Sequence, residues 1–94
     1  MTRIYKYPLD AMTVQHVVIP RGARLLAVGA QGVKVVLWAE VDDGGEYTGR
    51  KITCVMTGGY PPDDVYVGTT TTSDGIVVHV YDGGEFTVED RLAA

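Results

Sequence analysis

Short apolar runs separated by glycine and proline make up most of the chain. Seven runs stand out: TRIYKYPL, MTVQHVVIP, RLLAVGAQ, VKVVLWAEV, RKITCVMT, VYVGTTTT and IVVHVYD. Their length and their content of β-branched and aromatic residues are typical of β-strands. In VKVVLWAEV, alternate side chains point to opposite faces, so Val35, Leu37, Ala39 and Val41 share one face and Trp38 lies on the other. We predict that the aliphatic face is the core face.

The turns between the runs predict how the strands pair. Gly32 within AQG indicates a tight hairpin between the third and fourth strands, and SDG at 73–75 indicates another between the sixth and seventh. The glycine-rich stretch DDGGEYTG predicts a further hairpin that joins the fourth and fifth strands. These hairpins indicate a meander-like order. We therefore predict an all-β fold, a single small antiparallel β-sandwich or barrel of about seven strands.

The length of the chain predicts one domain, and no repeat or linker divides residues 1–94. The final segment, 85–94, is open to three interpretations. It is a last short strand, one short helical turn, or a tail that is flexible or contacts another protomer. The tail is favoured over an independent helix, because short isolated helices are marginal in water.

Charge and hydropathy exclude several classes of partner. The formal net charge of −4 argues against general nucleic-acid binding and against an anionic membrane surface. A local basic patch would require the fold to gather Arg21, Arg24, Arg50 and Lys51. The N-terminus has no apolar signal region, and no run approaches the roughly 20 apolar residues that span a bilayer. We expect a soluble, cytoplasmic protein without a membrane partner.

The residues that most often carry catalysis or metals do not form a recognisable motif. His16 and His79 lie in strand interiors, and a lone Cys54 makes neither a disulfide nor a zinc site. The apolar run around Cys54 predicts a buried, inert thiol. The adjacent acids Asp42–Asp43 and Asp63–Asp64 are typical of solvated turns rather than of an acid–base pair across a cleft. We predict no enzyme, no catalytic residue, no metal and no cofactor.

The stretch TCVMTGGYPPDDVYVG, residues 53–68, has the composition of a loop between two strands. Gly58 and Gly59 expose backbone N–H groups that can hold an anion, and Tyr60 offers a ring for stacking. The lysine of a phosphate-binding loop is missing. Three interpretations stay open: a plain connection, a small-ligand loop, or a contact for a partner protein.

Trp38 and His79 are the other candidates for binding. One interpretation places Trp38 on the face opposite the core. If the last strand pairs nearby, Val77 and Tyr81 would join Trp38 on that face. A homo-oligomer would then cover this apolar face. The alternative places Trp38 in the main core. His79 shares a face with Tyr81, and we expect a half-exposed imidazole packed on that ring.

The order of several segments resembles a known family. IYKYPL, VVIPRGARLLAVGAQ, LWAEVD, TGGYPPDD…YVGT and GIVVHVYD are similar to the KYPL, LWA-VD, TGHP, YIGT and FHVF pattern of small proteins encoded by bacteriophages and prophages. That family has no known function. The resemblance implies an accessory protein in the cytoplasm of the host bacterium. The matching positions that can carry function are Trp38, Thr57, Gly58, Tyr60, Pro61 and His79.

One departure limits what the resemblance implies. Members of that family often have TGHP where this chain has TGGYP, so Tyr60 replaces or displaces a histidine. Any function that needs that imidazole is therefore not carried over to this chain.

These observations favour a non-enzymatic binding protein, expected to be a homo-oligomer, that interferes with a host function such as antiviral defence. It would mask a host protein or sequester a small nucleotide-like ligand. The alternative is a structural component of the virion or of its assembly. The residues that we predict to bind the ligand are Trp38, Arg50, Lys51, Gly58, Gly59, Tyr60 and His79.

Overall fold

Seven β-strands follow the seven apolar runs of the sequence. The computed structural model describes residues 1–86. Its strands are β1 (Thr2–Leu9), β2 (Val14–Pro20), β3 (Arg24–Gln31), β4 (Lys34–Asp42), β5 (Tyr47–Met56), β6 (Val65–Thr71) and β7 (Val77–Phe86). The described part of the chain contains no helix. Of the predicted tail, Glu85 and Phe86 end β7, and the rest lies outside the described residues.

The strands form two antiparallel sheets that pack as a sandwich. One sheet has three strands in the order β1–β4–β3, and the other has four in the order β2–β5–β7–β6. The sheets do not close into a barrel. The prediction of a small all-β antiparallel sandwich is confirmed.

Two of the predicted hairpins are confirmed. Gln31 pairs with Lys34, and Gly32 takes a φ of 63° in the two-residue loop between them. Thr71 pairs with Val77, and the turn before β7 contains Gly75 with a φ of 86°. Both glycines occupy left-handed backbone conformations that residues with a Cβ rarely adopt.

The predicted hairpin between β4 and β5 is wrong, and so is the meander-like order. β4 pairs with β1 on one side and with β3 on the other, so no edge of β4 is left for β5. The chain instead leaves the three-stranded sheet in a turn in which Gly45 N–H donates to the Asp42 carbonyl at 3.0 Å. It then enters the four-stranded sheet as β5. A polar glycine-rich loop signals a change of direction, but it does not specify which strand follows as a neighbour.

The core lies between the two sheets and follows the predicted alternation of β4. All four aliphatic residues of its inner face are buried: Val35, Leu37, Ala39 and Val41. The facing sheet contributes Ile52, Cys54, Val78 and Val80, which are also buried. Burying one such large aliphatic side chain stabilises a fold by roughly 1.5–3 kcal/mol, so this layer is the main source of stability.

The other side of the four-stranded sheet is here called the outer face. Residues that pair directly across strands share a face, so the register assigns its members. They include Val14, His16 and Val18 on β2, Lys51, Thr53 and Val55 on β5, His79 and Tyr81 on β7, and Tyr66 and Thr69 on β6.

The connection from β5 to β6 must cross this outer face. Both strands are antiparallel to β7, which lies between them, so β5 and β6 run parallel to each other. β5 ends with Met56 beside Val78, whereas β6 begins with Val65 beside Asp82. Residues 57–64, here called the crossover loop, therefore run back along β7 over the sheet.

We predict that Leu37→Ala lowers the free energy of unfolding by about 2–5 kcal/mol, because it opens a cavity at a fully buried position. Urea denaturation measures the change. Leu26→Ala, at an exposed position of the β3 bulge, is the control and should cost less than about 1 kcal/mol. Equal losses in the two variants would contradict the placement of the core.

Candidate functional site

A small cavity lies between the crossover loop and the outer face of the four-stranded sheet. Its volume is about 200 Å³. Its walls combine the loop with side chains of β5 and β7: Val55, Met56, Thr57, Gly58, Gly59, Pro61, His79 and Tyr81. Three of the residues predicted to bind a ligand, Gly58, Gly59 and His79, are thus brought together here.

The two glycines allow the loop to turn back tightly onto the sheet. Gly58 has a φ of 94°, and Gly59 N–H donates to the Met56 carbonyl at 2.9 Å. A glycine with positive φ at the third position of a turn is typical of type II. A Cβ at Gly59 would lie 2.7 Å from Val55 Cγ1, which is too close for any side chain. The Gly-Gly pair is thus explained by backbone geometry.

His79 joins three segments through its two ring nitrogens. Its Nε2 is 2.9 Å from Thr57 Oγ1 in the crossover loop, and its Nδ1 is 2.9 Å from Thr69 Oγ1 on β6. Thr69 Oγ1 is in turn 2.6 Å from the Tyr66 hydroxyl. In a neutral imidazole one nitrogen donates and the other accepts, and hydroxyl groups can satisfy either role. His79 therefore fixes the position of the loop over the sheet.

The aromatic neighbour expected for His79 has another partner. Tyr81 packs against Tyr66, with ring centroids 5.6 Å apart and an interplanar angle of 64°. This edge-on arrangement is one that aromatic pairs favour. Tyr81 is part of the cavity wall, and Tyr66 packs against it from β6.

Tyr60 belongs to the crossover loop but does not line the cavity. Its side chain is 96% exposed, whereas the next residue, Pro61, is part of the wall. A large aromatic side chain that is almost fully in water does not stabilise the fold. The ring is therefore available for contact with another molecule.

Lys51 fixes the far end of the crossover loop rather than lining the cavity. Its Nζ is 3.4 Å from Asp64 Oδ2, the last residue of the loop. Its aliphatic stem passes over β7 at Gly83, where a Cβ would lie 2.6 Å from Lys51 Cδ. The loop is thus held at one end by Thr57 and His79 and at the other by Lys51.

Arg50 is engaged inside the structure, at one end of the sandwich. It makes a bidentate pair with Asp82, with Nε–Oδ1 at 2.9 Å and Nη2–Oδ2 at 2.6 Å. Its Nη1 donates to the Ala23 carbonyl at 2.8 Å. The hydrogen bonds with Asp82 raise the pKa of the guanidinium, and those same bonds lower the pKa of the Asp82 carboxyl.

The fold places three of the four candidate cations beside carboxylates, and the fourth, Arg24, lines a groove together with Arg50 and Asp82. Arg21 faces Glu85 at 3.8 Å, Arg50 faces Asp82, and Lys51 faces Asp64. Each of these cations therefore has a carboxylate beside it. A phosphate would have to compete with those carboxylates for the same donors.

Trp38 lies on the far side of the molecule from the cavity. Its indole covers Gly29 on the outer side of the three-stranded sheet, where a Cβ at Gly29 would be 2.7 Å from Trp38 Cζ3. The last strand does not pair near Trp38, so Val77 and Tyr81 do not join it: β4 and β7 belong to different sheets whose outer sides face in opposite directions. The ring is half-buried and stands apart from the main core.

The acidic residues at 42–43 and the cysteine make contacts within the fold that account for them. Asp43 pairs with Arg3, and Asp42 Oδ1 accepts from Gly44 N–H at 3.1 Å. Cys54 is buried, and desolvation raises the pKa of its thiol to about 11, which agrees with the predicted inert thiol. Within residues 1–86, no three His, Cys, Asp or Glu side chains are placed to hold a metal ion, and no helix is long and apolar enough to cross a membrane.

The model of one protein family spans nearly the whole chain. A domain of unknown function, DUF7352, matches residues 1–90. The chain belongs to the DUF7352 family. Comparison with curated proteins and with solved structures gave no significant match. No relative supplies an activity for this DUF7352 chain, so its own geometry has to indicate the function.

Sequence reasoning missed the two side chains of β6 that complete the hydrogen-bonded chain at His79. Thr69 pairs with His79, and Tyr66 pairs with Tyr81, through the register of β6 against β7. The predicted hairpin at 73–75 fixes the pairing of Thr69 with His79, because a known turn determines which residues face each other. It does not give the pairing of Tyr66 with Tyr81, since a β-bulge between Tyr66 and Gly68 shifts the register. Thr57 reaches His79 only through the crossover, which no local signal revealed.

We predict that Asp82→Asn destabilises the fold at pH 7 and weakens its sensitivity to acid. The folded pKa of Asp82 is lowered, so its stabilising contribution is present above the ordinary carboxyl pKa and is lost as the pH falls through the folded value. At neutral pH the variant removes the bidentate partner of Arg50 and leaves Glu85, 3.7 Å from its Nη1, as the remaining carboxylate, so we expect a loss of about 1–3 kcal/mol for this half-buried pair. Urea denaturation between pH 2 and 7 measures both effects.

The matched control is Asp63→Asn, at an exposed position in the crossover loop. It should leave the free energy of unfolding at pH 7 within about 0.5 kcal/mol of the wild type. If Asp82→Asn behaves like this control, the Arg50–Asp82 pair does not stabilise the fold.

Proposed function

We propose that this protein is a non-enzymatic binding protein that recognises a partner protein through its crossover loop. The observation that carries the proposal is the 96% exposed Tyr60 beside a cavity of about 200 Å³. Exposed aromatic residues are enriched where proteins bind each other, and they contribute most when they flank a pocket. The cavity accepts one side chain of the partner while Tyr60 packs beside it.

The size of the cavity favours a protein over a nucleotide. Sites for small molecules typically enclose about 300–1,000 Å³, and this cavity has a volume of about 200 Å³. Its walls carry no cationic side chain among the described residues, and Arg50 and Lys51 are paired with Asp82 and Asp64. A phosphate would therefore find backbone N–H groups without a positive charge. Masking a protein fits this chemistry better than sequestering a nucleotide.

The anchoring of the loop supports recognition by a preformed surface. Thr57 is bonded to His79, and Asp64 is paired with Lys51, so both ends of the loop are fixed before a partner arrives. A surface that is already ordered loses little conformational entropy on binding, which leaves more of the contact energy as affinity.

The biological setting of the proposal comes from the motif resemblance described above. It suggests an accessory protein of a phage or prophage that acts in the host cytoplasm and masks a host protein, for example one of an antiviral defence system. A virion component is the competing possibility. Mass spectrometry of purified particles separates the two, because an accessory protein is absent from them.

We predict that Tyr60→Ala weakens binding of the partner about 30-fold or more while the fold is unchanged. The ring is almost fully exposed, so its loss costs the fold little, whereas a central aromatic contact contributes about 2 kcal/mol or more to an interface. The partner is first purified with the tagged wild-type chain from host lysate. Calorimetry then measures the affinity of each variant for the purified partner.

Tyr47→Ala is the control, since Tyr47 is 58% exposed at the opposite end of β5. It should bind as the wild type does. Wild-type affinity in Tyr60→Ala would overturn the proposed surface. A rise in melting temperature with a cyclic dinucleotide or an ADP-ribose derivative, abolished by His79→Ala, would instead assign nucleotide sequestration.

A further inference from the structure

Within residues 1–86, the outer edge of β2 presents a row of backbone groups that no other strand pairs with. β2 is an outer strand of the four-stranded sheet and pairs with β5 alone. Two hydrogen bonds at the ends of this pairing show which residues of β2 point their backbone groups toward β5. Cys54 N–H donates to the Thr13 carbonyl at 3.1 Å, and Arg21 N–H donates to the Glu46 carbonyl at 2.7 Å. In an antiparallel pair alternate residues point toward the partner strand, so the odd-numbered residues of β2 face β5. The even-numbered residues point outward.

Val14, His16 and Val18 therefore direct their N–H and C=O groups away from the sheet. Their side chains are exposed as well, Val14 at 57% and Val18 at 68%. Among residues 1–86 the Val14 carbonyl accepts a bond from Thr13 Oγ1 at 3.0 Å, and the outward groups of the other two have no partner in the chain. Such an edge is a template for another strand.

The composition of β2 does not protect this edge. No charged side chain lies between Thr13 and Pro20. By contrast, β1, at the edge of the other sheet, carries Arg3, Lys6 and Pro8, residues that commonly block edge pairing. An open, uncharged and partly apolar edge is a site for strand pairing.

The edges on the opposite side of the sandwich cover each other. β3 and β6 approach so closely that a Cβ at Gly68 would lie 2.8 Å from Val28 Cγ2. The Ser73 N–H donates to the Gly32 carbonyl at 2.9 Å at the ends of the same two strands. Among the four edge strands of the described residues, β2 is therefore both open and uncharged.

We propose that β2 pairs in antiparallel fashion with β2 of a second copy, about a two-fold axis at His16. This register places Val14 opposite the partner subunit's Val18, and the converse, so the outward groups of both strands find partners. The apolar side chains meet as cross-strand pairs. Pro20, which lacks an N–H, falls beyond the paired segment.

The second copy is favoured over a foreign strand because the segment is complementary to itself. Val14 and Val18 stand two residues on either side of His16, so each meets the other across the two-fold axis. Each copy has a net charge of −4, yet this pairing brings no charged side chain of β2 to the contact. The His16 ring packs on Phe86 of its own chain, with centroids 4.3 Å apart, and so leaves the backbone edge accessible. The dimer would extend the four-stranded sheet across both copies.

The test measures the mass of the protein in solution, by light scattering and sedimentation over a range of concentrations. The wild type should have twice the chain mass of 10.1 kDa. Val14→Lys combined with Val18→Lys should raise the dimer dissociation constant by about tenfold or more, because like charges then face each other across the pair. The control, Val33→Lys combined with Val65→Lys, makes the same charge change at valines that are 65% and 69% exposed elsewhere, and it should remain a dimer.

Two further measurements bear on the backbone pairing itself. Val18→Pro removes an N–H that takes no part in the ladder with β5, so it should leave the monomer folded and abolish the dimer. Hydrogen exchange at Val14, His16 and Val18 should slow as the protein concentration rises. Protection that does not depend on concentration would overturn the proposal and place a segment of the same chain on the edge.

Other outcomes also overturn it. A mass of one chain at all concentrations up to about 1 mM excludes the dimer, and a dimer that persists in the Val14→Lys, Val18→Lys variant assigns the contact to another surface. The proposal stands apart from partner recognition by Tyr60. The edge variants test the dimer without touching the crossover loop, and Tyr60→Ala tests the loop without touching the edge.

Discussion

The position of β7 between β5 and β6 is the constraint on which the rest of this structure depends. It makes β5 and β6 parallel, so the connection between them has to run back along the sheet. A connection of only residues 57–64 can do this only by lying on the outer face. The loop, its cavity and the exposed Tyr60 all follow from that path.

A loop that lies on a sheet needs anchors and close approach, and the sequence supplies both. Gly59 allows the backbone to rest against Val55, because any Cβ would collide with it. Each ring nitrogen of His79 is hydrogen-bonded to a threonine hydroxyl, and the ion pair of Lys51 with Asp64 holds the other end of the loop. The sequence singles out Gly59, His79 and Lys51 as candidates for ligand binding, yet in the structure these residues hold the loop on the sheet.

Electrostatic pairing then narrows what the surface can bind. The Arg50 guanidinium donates hydrogen bonds to Asp82 and to the Ala23 carbonyl. These bonds connect the start of β3 to β5 and β7. With Lys51 also paired, the cavity offers hydroxyl groups, an imidazole and apolar walls, and the exposed phenol ring of Tyr60 lies beside it. This set of groups suits protein recognition.

Local pattern in the sequence determined the strands, their inner and outer faces, the two tight hairpins and the buried state of Cys54. These features depend on alternation and on turn chemistry, which act over a few residues. The sequence also pointed to Gly58, Gly59 and His79 as candidates. Only the tertiary structure decided that β4 and β5 lie in different sheets, that Trp38 stands far from Tyr81, and that Arg50 and Lys51 face carboxylates. Those outcomes depend on which strands become neighbours, a choice set by packing of the whole core rather than by any local signal.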